Sequence, residues 1–307
     1  MMDQKFIDAI VKVVYNSDMS DLNLLKVETR TIQYDDSRNE TLTSTIFVSD
    51  SFGGKAKLSD AWVAGNLLLF TVFNGHLENK YKLLEGESFK KHYENLPELS
   101  DFDIMNKNCY RIFKIIRNAI QHSLSNVTHA NGNCNINYTN KSTNYVLHIS
   151  ATGLRYLYTF VMNSINGRIY DMEKRFCTAG HYLGLMQTIY SEFEKGIVKF
   201  SDEMGNSLLP VKRDFSLRAT VRYPVLNPII INKSAENIIF KHVENNFTDD
   251  ESDTNYIYST DYVFEGYLLP QEIGTRIRYK SDNLQERLSK GTITFKKSDL
   301  DEKWKIK

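Results

Sequence analysis

The sequence is poor in cysteine, has no net charge and contains no long apolar run. Its three cysteines, Cys109, Cys134 and Cys177, lack metal-ligand spacing, and an odd count in a chain of 307 residues indicates a reducing compartment. A formal net charge of zero excludes the class of proteins that bind long nucleic acid mainly through an overall positive charge. The most apolar run, 61–73, is too short to span a bilayer. Residues 1–15 carry charges where a signal peptide has its apolar core, so we predict a cytoplasmic protein.

Common motifs of cofactor and metal chemistry are also missing. No glycine-rich phosphate loop precedes a predicted helix, and no pair of His, Asp or Glu has zinc spacing. No serine or cysteine nucleophile motif occurs. The acidic stretch 249–253 lacks the spaced glycine and terminal glutamate of a calcium loop. We therefore predict no cofactor and no metal.

Hydrophobic periodicity predicts an α+β fold in three regions. Residues 1–57 contain a short helix and a β-hairpin. Residues 58–200 contain four main helices with one inserted hairpin, which is the pattern of a helical bundle. Residues 201–307 contain short strands, and the N-terminal hairpin is a candidate to join them. The four main helices are predicted over 60–84, 108–123, 152–171 and 179–193, with a short helical piece over 88–95. A polar loop over 125–134 precedes the hairpin of 135–139 with 145–150.

The most compact set of reactive side chains is Arg-Asn-Ala-Ile-Gln-His at 117–122, where an amphipathic helix ends. Arg117 offers phosphate oxygens a planar fork of donors. His122 can transfer a proton near neutral pH. Asn118 lies one turn before His122, so its amide can orient the substrate or the imidazole. We predict that Arg117, Asn118 and His122 are catalytic residues.

Other polar residues of this helix are candidates for substrate binding. On a helical wheel, Arg111 and Lys114 share the polar face with His122, and Gln121 lies at its edge. This arrangement predicts a local basic strip on a protein without net charge. We therefore predict that Arg111, Lys114 and Gln121 bind the substrate.

These residue types suit the cleavage of RNA without a metal. RNA carries its own nucleophile, the 2′-hydroxyl. Cleavage needs a base for that proton, an acid for the leaving 5′-oxygen, and positive donors on the phosphoryl oxygens. One histidine cannot easily perform both proton transfers from one side. A symmetric homodimer would supply a second histidine and a second arginine.

The motif resembles that of the HEPN superfamily (higher eukaryotes and prokaryotes nucleotide-binding). Its signature is an arginine, usually followed by a polar residue such as asparagine, with a histidine four to six positions after the arginine near the end of a core helix. Arg117, Asn118 and His122 fit the commonest form, and the resemblance covers roughly residues 58–200. It implies a metal-independent endoribonuclease that acts as a dimer, often as a toxin or antiphage defence effector with an antitoxin or other defence partner. The flanking β regions have no such resemblance.

Two other interpretations of the motif remain. Some HEPN proteins are inactive, so the bundle could instead serve as a catalytically inactive module for dimerisation or for binding nucleotides or RNA. The same pattern also arises from a solvated helix face that ends in a surface histidine. His129, in the predicted loop after the motif, is a further candidate for the acid–base group.

Overall fold

The computed structural model describes most of the chain, and its secondary structure is mixed. The described residues are 3–16, 24, 31–35, 41–45, 62–83, 86–122, 124–166, 179–213, 217, 222–242, 246–249, 254–257, 259–277, 280, 283 and 291–306. The helices are α1 Gln4–Asn16, α2 Trp62–Tyr81, α3 Phe89–Asn95, α4 Asp101–His122, α5 Ala151–Asn166 and α6 Ala179–Lys195. The strands are β1 Thr31–Asp35, β2 Thr41–Thr45, β3 Val127–Ala130, β4 Asn133–Asn140, β5 Thr143–Ser150, β6 Ile197–Ser201, β7 Arg222–Val225, β8 Ile230–Lys233, β9 Asn237–Lys241, β10 Asn246–Asp249, β11 Thr254–Ile257, β12 Ser259–Phe264, β13 Tyr267–Pro270, β14 Thr275–Ile277 and β15 Thr292–Lys296.

The chain forms two compact units that do not follow the three predicted regions. The helical unit comprises Met1–Leu25, Phe52–Ile169 and Ile189–Arg213, and the β unit comprises Lys26–Ser51, Tyr170–Thr188 and Asp214–Lys307. The predicted α+β class is confirmed. Among the described helices, none is both long enough and apolar enough to cross a membrane.

Helices and one antiparallel sheet build the helical unit together. The sheet has the strand order β3-β4-β5-β6, and α4 packs against β4 and β5 as well as against α2, α3 and α5. The core is rich in aromatic side chains, and the largest of them that are fully buried include Phe73, Phe113, Tyr158, Phe160, Tyr190 and Phe193. Burial of such rings is the main stabilising contribution, at about 25 cal/mol for each Å² of apolar surface removed from water.

The start of α4 is fixed by a reciprocal cap. The Ser100 hydroxyl accepts a hydrogen bond from the Asp103 backbone N–H at 3.2 Å, and the Asp103 carboxylate accepts one from the Ser100 backbone N–H at 3.2 Å. Asp101 and Asp103 also place negative charge at the N-terminus of the helix, and His122 lies in its last turn, as the helix dipole favours.

Two predictions for the helical unit need correction. The helix that bears the motif begins at Asp101, seven residues before the predicted start at Asn108. The segment 125–134 is not simply a polar loop, because it contains the strand β3. This strand was missed because it is largely exposed and lacks apolar alternation, so it resembles a loop in sequence. The predicted hairpin is present as β4 and β5.

The β unit contains small sheets around a separate core. One sheet has the order β13-β12-β7, with β12 and β7 parallel, and another has the order β14-β15-β9-β8. The core consists of Ile238, Phe240, Tyr262, Leu269, Ile293 and Phe295. The predicted single strand over 262–269 is instead the hairpin β12–β13, because Glu265 and Gly266 form a turn with φ of 48° and 80°. Of the acidic stretch 249–253, only Asp249 lies within the described residues. Cys177 also lies outside them.

Candidate active site

The three predicted catalytic residues lie in the last two turns of α4. His122 is the final residue of the helix and is exposed, as is Gln121. Arg117 and Asn118 are half-buried one turn earlier, and Arg117 Nη1 donates a hydrogen bond to Asn118 Oδ1 at 2.9 Å. The amide therefore orients the guanidinium, which keeps other donors for a ligand.

The predicted basic strip is wrong at Arg111, because this side chain is only 2 % exposed. Its guanidinium donates two hydrogen bonds to the Asp202 carboxylate, from Nε to Oδ2 at 2.8 Å and from Nη2 to Oδ1 at 2.5 Å. Burial lowers the pKa of Arg111, but the hydrogen bonds and charge of Asp202 outweigh burial and raise it overall. Arg111 is thus a permanently charged structural residue, and its geometry leaves it unsuited to the substrate-binding role that we predicted.

Lys107, which shares that face, is buried as well. Its ammonium donates to the Leu96 carbonyl at 3.0 Å and pairs with Glu98 at 2.8 Å. A cation that is 4 % exposed and already paired cannot contribute to a solvent-facing strip. The amphipathic pattern therefore identified a polar face correctly but not its surroundings.

The segment 202–213 covers this face of α4. Asn108 Nδ2 donates to the Leu209 carbonyl and its Oδ1 accepts from the Leu209 N–H, both at 2.9 Å. The Asp101 carboxylate accepts from the backbone N–H groups of Lys212 and Arg213, again at 2.9 Å. Arg111 Nη1 donates to the Ser207 carbonyl at 2.9 Å. Polar residues along the first three turns of α4 thus satisfy the backbone of a segment with little secondary structure of its own.

Lys114 lies where this covered face meets the motif. It forms an ion pair with Glu203, and its Nζ lies 4.4 Å from the centroid of the Phe89 ring. Burial, helped by the charge of Arg111 and opposed by that of Asp202, lowers the pKa of Lys114 to about 8. The predicted role of Lys114 in substrate binding therefore depends on a charge that is partly neutralised and lost at mildly alkaline pH.

A pocket of about 290 Å³ opens beside the motif, between α2, α3 and α4. Helix α4 contributes Tyr110, Lys114, Arg117 and Asn118 to its lining, whereas His122 does not line it. The other lining residues are Phe70, Asn74, Glu78, Gly86, Glu87, Phe89 and His92. The structure thus brings Arg117, Asn118 and Lys114 together around one cavity.

Hydrogen bonds link the polar residues of the pocket into a chain. The Tyr110 hydroxyl donates to Asn74 Oδ1 at 2.6 Å, and Asn74 Nδ2 donates to Glu78 Oε1 at 2.7 Å. His92 Nδ1 lies 3.3 Å from the Tyr110 hydroxyl and 3.7 Å from Glu78 Oε1. Sequence reasoning missed Asn74, Glu78 and His92. The available signal was the spacing of Phe70, Asn74 and Glu78, which places polar groups on one face of an otherwise apolar helix.

Two other histidines are unsuited to proton transfer at this site. His129 Nε2 accepts a hydrogen bond from the Trp62 indole at 3.0 Å, so its accessible proton lies on Nδ1. Burial, with a smaller contribution from the charge of Lys80, lowers the pKa of His76 to about 4. His76 is therefore neutral at physiological pH. Within the described part of the chain, no group of three or more His, Cys, Asp or Glu side chains is placed to hold a metal ion.

No protein-family model, curated protein or solved structure matches this chain.

Proposed function

We propose that the protein is a metal-independent endoribonuclease of the HEPN type, acting as a toxin or antiphage defence effector. The observation that carries the proposal is the end of α4, where the exposed His122 lies five residues after Arg117, whose guanidinium is oriented by Asn118. Arg117, Asn118 and His122 supply a phosphate fork, an orienting amide and a proton-transfer group. A helical bundle that presents this motif at a helix end is what the HEPN resemblance implies.

The proposed reaction is attack by the RNA on its own phosphate. His122 removes the proton of the 2′-hydroxyl, and the 2′-oxygen attacks phosphorus while the bond to the 5′-oxygen breaks. Arg117 stabilises the negative charge that builds on the non-bridging oxygens. The departing 5′-oxygen takes a proton, and the other product ends in a 2′,3′-cyclic phosphate.

The second proton-transfer group is proposed to come from a second copy of the chain. His129 accepts a hydrogen bond from Trp62, and the low pKa of His76 keeps it neutral near pH 7, so it is not the imidazolium that a general acid requires. The exposed position of His122 at the end of α4 allows a second α4 to approach. A homodimer with its interface along the bundle would then place two Arg117 and two His122 side chains around one phosphate.

The decisive experiment incubates single-stranded RNA with the purified protein in EDTA. We expect cleavage with 2′,3′-cyclic phosphate or 3′-phosphate ends. His122→Ala and Arg117→Ala should abolish it at unchanged folding stability, because neither side chain is fully buried. Lys12→Ala, which removes an exposed charge from α1, is the matched control and should cleave normally. Cleavage that requires magnesium or manganese would contradict the proposal.

A second candidate is an inactive module that binds nucleotides or RNA. The pocket favours it, since Arg117 and Asn118 line the cavity and His122 does not. Such a module would bind RNA without cutting it, and His122→Ala would bind as tightly as the unaltered protein. The active enzyme is preferred because nothing about a binding pocket requires a histidine at the exposed helix end.

The cellular setting is part of the proposal. Cys109 and Cys134 are buried free thiols, which fits a reducing compartment such as the cytoplasm. An effector that degrades RNA needs restraint, so we propose an antitoxin or defence partner protein. Co-purification of the chain with the product of a neighbouring gene, with loss of RNA cleavage in the complex, would support this partner.

A further inference from the structure

The pocket beside Arg117 is lined by opposite charges from two helices. Helix α2 contributes the Glu78 carboxylate, and α4 contributes the Lys114 and Arg117 cations. Burial raises the pKa of the Tyr110 phenol, and the nearby charges act on it too, with Glu78 raising the pKa further and Arg117 lowering it. A ligand that fills this pocket therefore meets an anionic acceptor and cationic donors, which suits a group that has its own donors and is attached to a phosphate.

Glu78 is held in place as an acceptor. The side chain is only 7 % exposed, and its Oε1 atom is fixed by the Asn74 amide at 2.7 Å. Asn74 is in turn fixed by the Tyr110 hydroxyl at 2.6 Å. His92 lies on the same side of the carboxylate, with its Nδ1 atom 3.7 Å from Glu78 Oε1. A buried carboxylate whose orientation is set by a neighbouring amide is arranged to bind a donor group.

Among the RNA bases, guanine matches a carboxylate best. Its Watson–Crick edge places two donors side by side, N1–H and N2–H₂, which can bind the two oxygens of one carboxylate. Adenine and cytosine each place one amino donor beside a ring acceptor, and uracil has one N–H between two carbonyl acceptors. An acceptor facing an acceptor is repelled, so Glu78 selects against these three bases.

The remaining lining suits one base. Phe70 is half-buried and lines the cavity, and its ring stacks on those of Tyr110 and Phe113 with centroid distances of 6.1 Å, so it gives the pocket apolar surface for a base. The volume of about 290 Å³ lies just below the range of about 300–1,000 Å³ for ligand pockets, which suits one nucleotide rather than two.

We propose that this pocket binds the guanine base next to the scissile phosphate, with Glu78 accepting N1–H and N2–H₂. The inference rests on the proposed ribonuclease function and adds a substrate class to it. Arg117, which lines the pocket and belongs to the motif, links base recognition to the phosphate that is cut.

The first test is binding of mononucleotides to the full-length protein by calorimetry. GMP should bind about 5- to 150-fold more tightly than AMP, CMP or UMP, the range expected for one bidentate contact to a base. IMP lacks the N2 amino group and should bind less tightly than GMP. Equal affinities for all five nucleotides would overturn the guanine pocket, and this series requires no substitution in a buried position.

The second test uses Glu78→Gln with Glu94→Gln as its matched control. Glu94 is an exposed residue of α3 outside the pocket lining. Glu78→Gln should lose the GMP preference and should cut RNA without regard to guanine, whereas Glu94→Gln should keep both. A guanine preference that survives Glu78→Gln would overturn the assignment of Glu78.

The two proposals fail in different ways. Selective GMP binding that depends on Glu78, in a protein that leaves RNA intact, would contradict the ribonuclease and support the pocket. RNA cleavage with no preference for any base, together with equal binding of the nucleotides, would contradict the pocket and leave the ribonuclease standing.

Discussion

Replacing Asp202 by asparagine should destabilise the helical unit strongly, because it leaves the buried Arg111 cation without its counter-charge. The side chains of Arg111 and Asp202 are 2 % and 1 % exposed and are joined by two hydrogen bonds of 2.8 and 2.5 Å. Removing one partner of such a pair costs about 3–5 kcal/mol. Asparagine retains one acceptor oxygen, so we expect a loss of about 3 kcal/mol in the free energy of unfolding.

Urea unfolding followed by the helical circular dichroism signal measures this loss. With a slope of about 1–3 kcal/mol per molar urea, a loss of about 3 kcal/mol lowers the midpoint by about 1–3 M. The matched control is Asp8→Asn, which changes an exposed carboxylate of α1 and should alter stability by no more than about 0.5 kcal/mol.

The double variant Arg111→Met/Asp202→Leu removes both charges of the pair. Replacing both charges with apolar side chains of similar size should restore most of the stability, because no buried charge is then left unpaired. If Asp202→Asn unfolds at the same urea concentration as the unaltered protein, the ion pair is not buried in solution. Arg111 would then be available to RNA, as the sequence analysis predicted.

Three further predictions concern other described residues of the helical unit. His76 takes up a proton below about pH 6.5 in the unfolded state but only below about pH 4 in the native state. The free energy of unfolding should therefore fall as the pH is lowered, by about 2 kcal/mol between neutral pH and pH 5. His76→Asn should remove this loss when urea unfolding is compared at neutral pH and at pH 5. The same loss in the variant and in the unaltered protein would contradict the prediction. Lys114 should lose its charge above a pH of about 8, so RNA affinity should fall at higher pH in filter binding, whereas Lys114→Arg should keep it. Gly196→Ala should destabilise by about 1–3 kcal/mol in urea unfolding, because a Cβ there would lie 2.4 Å from Gly153 Cα; unchanged stability would refute this close approach.

Local patterns predicted most of the secondary structure of the helical unit. The apolar spacing identified the helices to within a few residues at most ends, because a helix that buries one face has apolar residues at regular helical spacing. The largest error was the start of α4, where residues 101–107 precede the stretch used for the prediction. Strand β3 was missed because it is largely exposed and so lacks the apolar alternation of a half-buried strand. The turn at Glu265 was missed because a non-glycine residue there adopts a positive φ.

The surroundings of the motif were harder to predict than the motif itself. A helical wheel shows that Arg111 and His122 share a polar face, but it does not show what covers that face. The covering partner of Arg111 is Asp202, 91 residues later in sequence. Glu78 was missed for the same reason, since its role depends on neighbours from α3 and α4. Contacts between distant segments decide which polar residues are structural and which face a ligand.

Under the proposed ribonuclease function, burial of Arg111 and Lys107 makes a second copy of the chain more important for RNA binding. The chain has no net charge, and one α4 contributes mainly Lys114 and Arg117 to the pocket. Two phosphate contacts give a dependence of log affinity on log salt of only about −1.4 for single strands, and four contacts in a dimer give about −2.8. The sequence alone suggested that positive charge along the whole polar face of α4 would hold RNA. The structure places Lys107, Arg111 and Lys114 in ion pairs with Glu98, Asp202 and Glu203. In the proposed ribonuclease, pairing of two helix ends is therefore the simplest way to recover a local field that is strong enough.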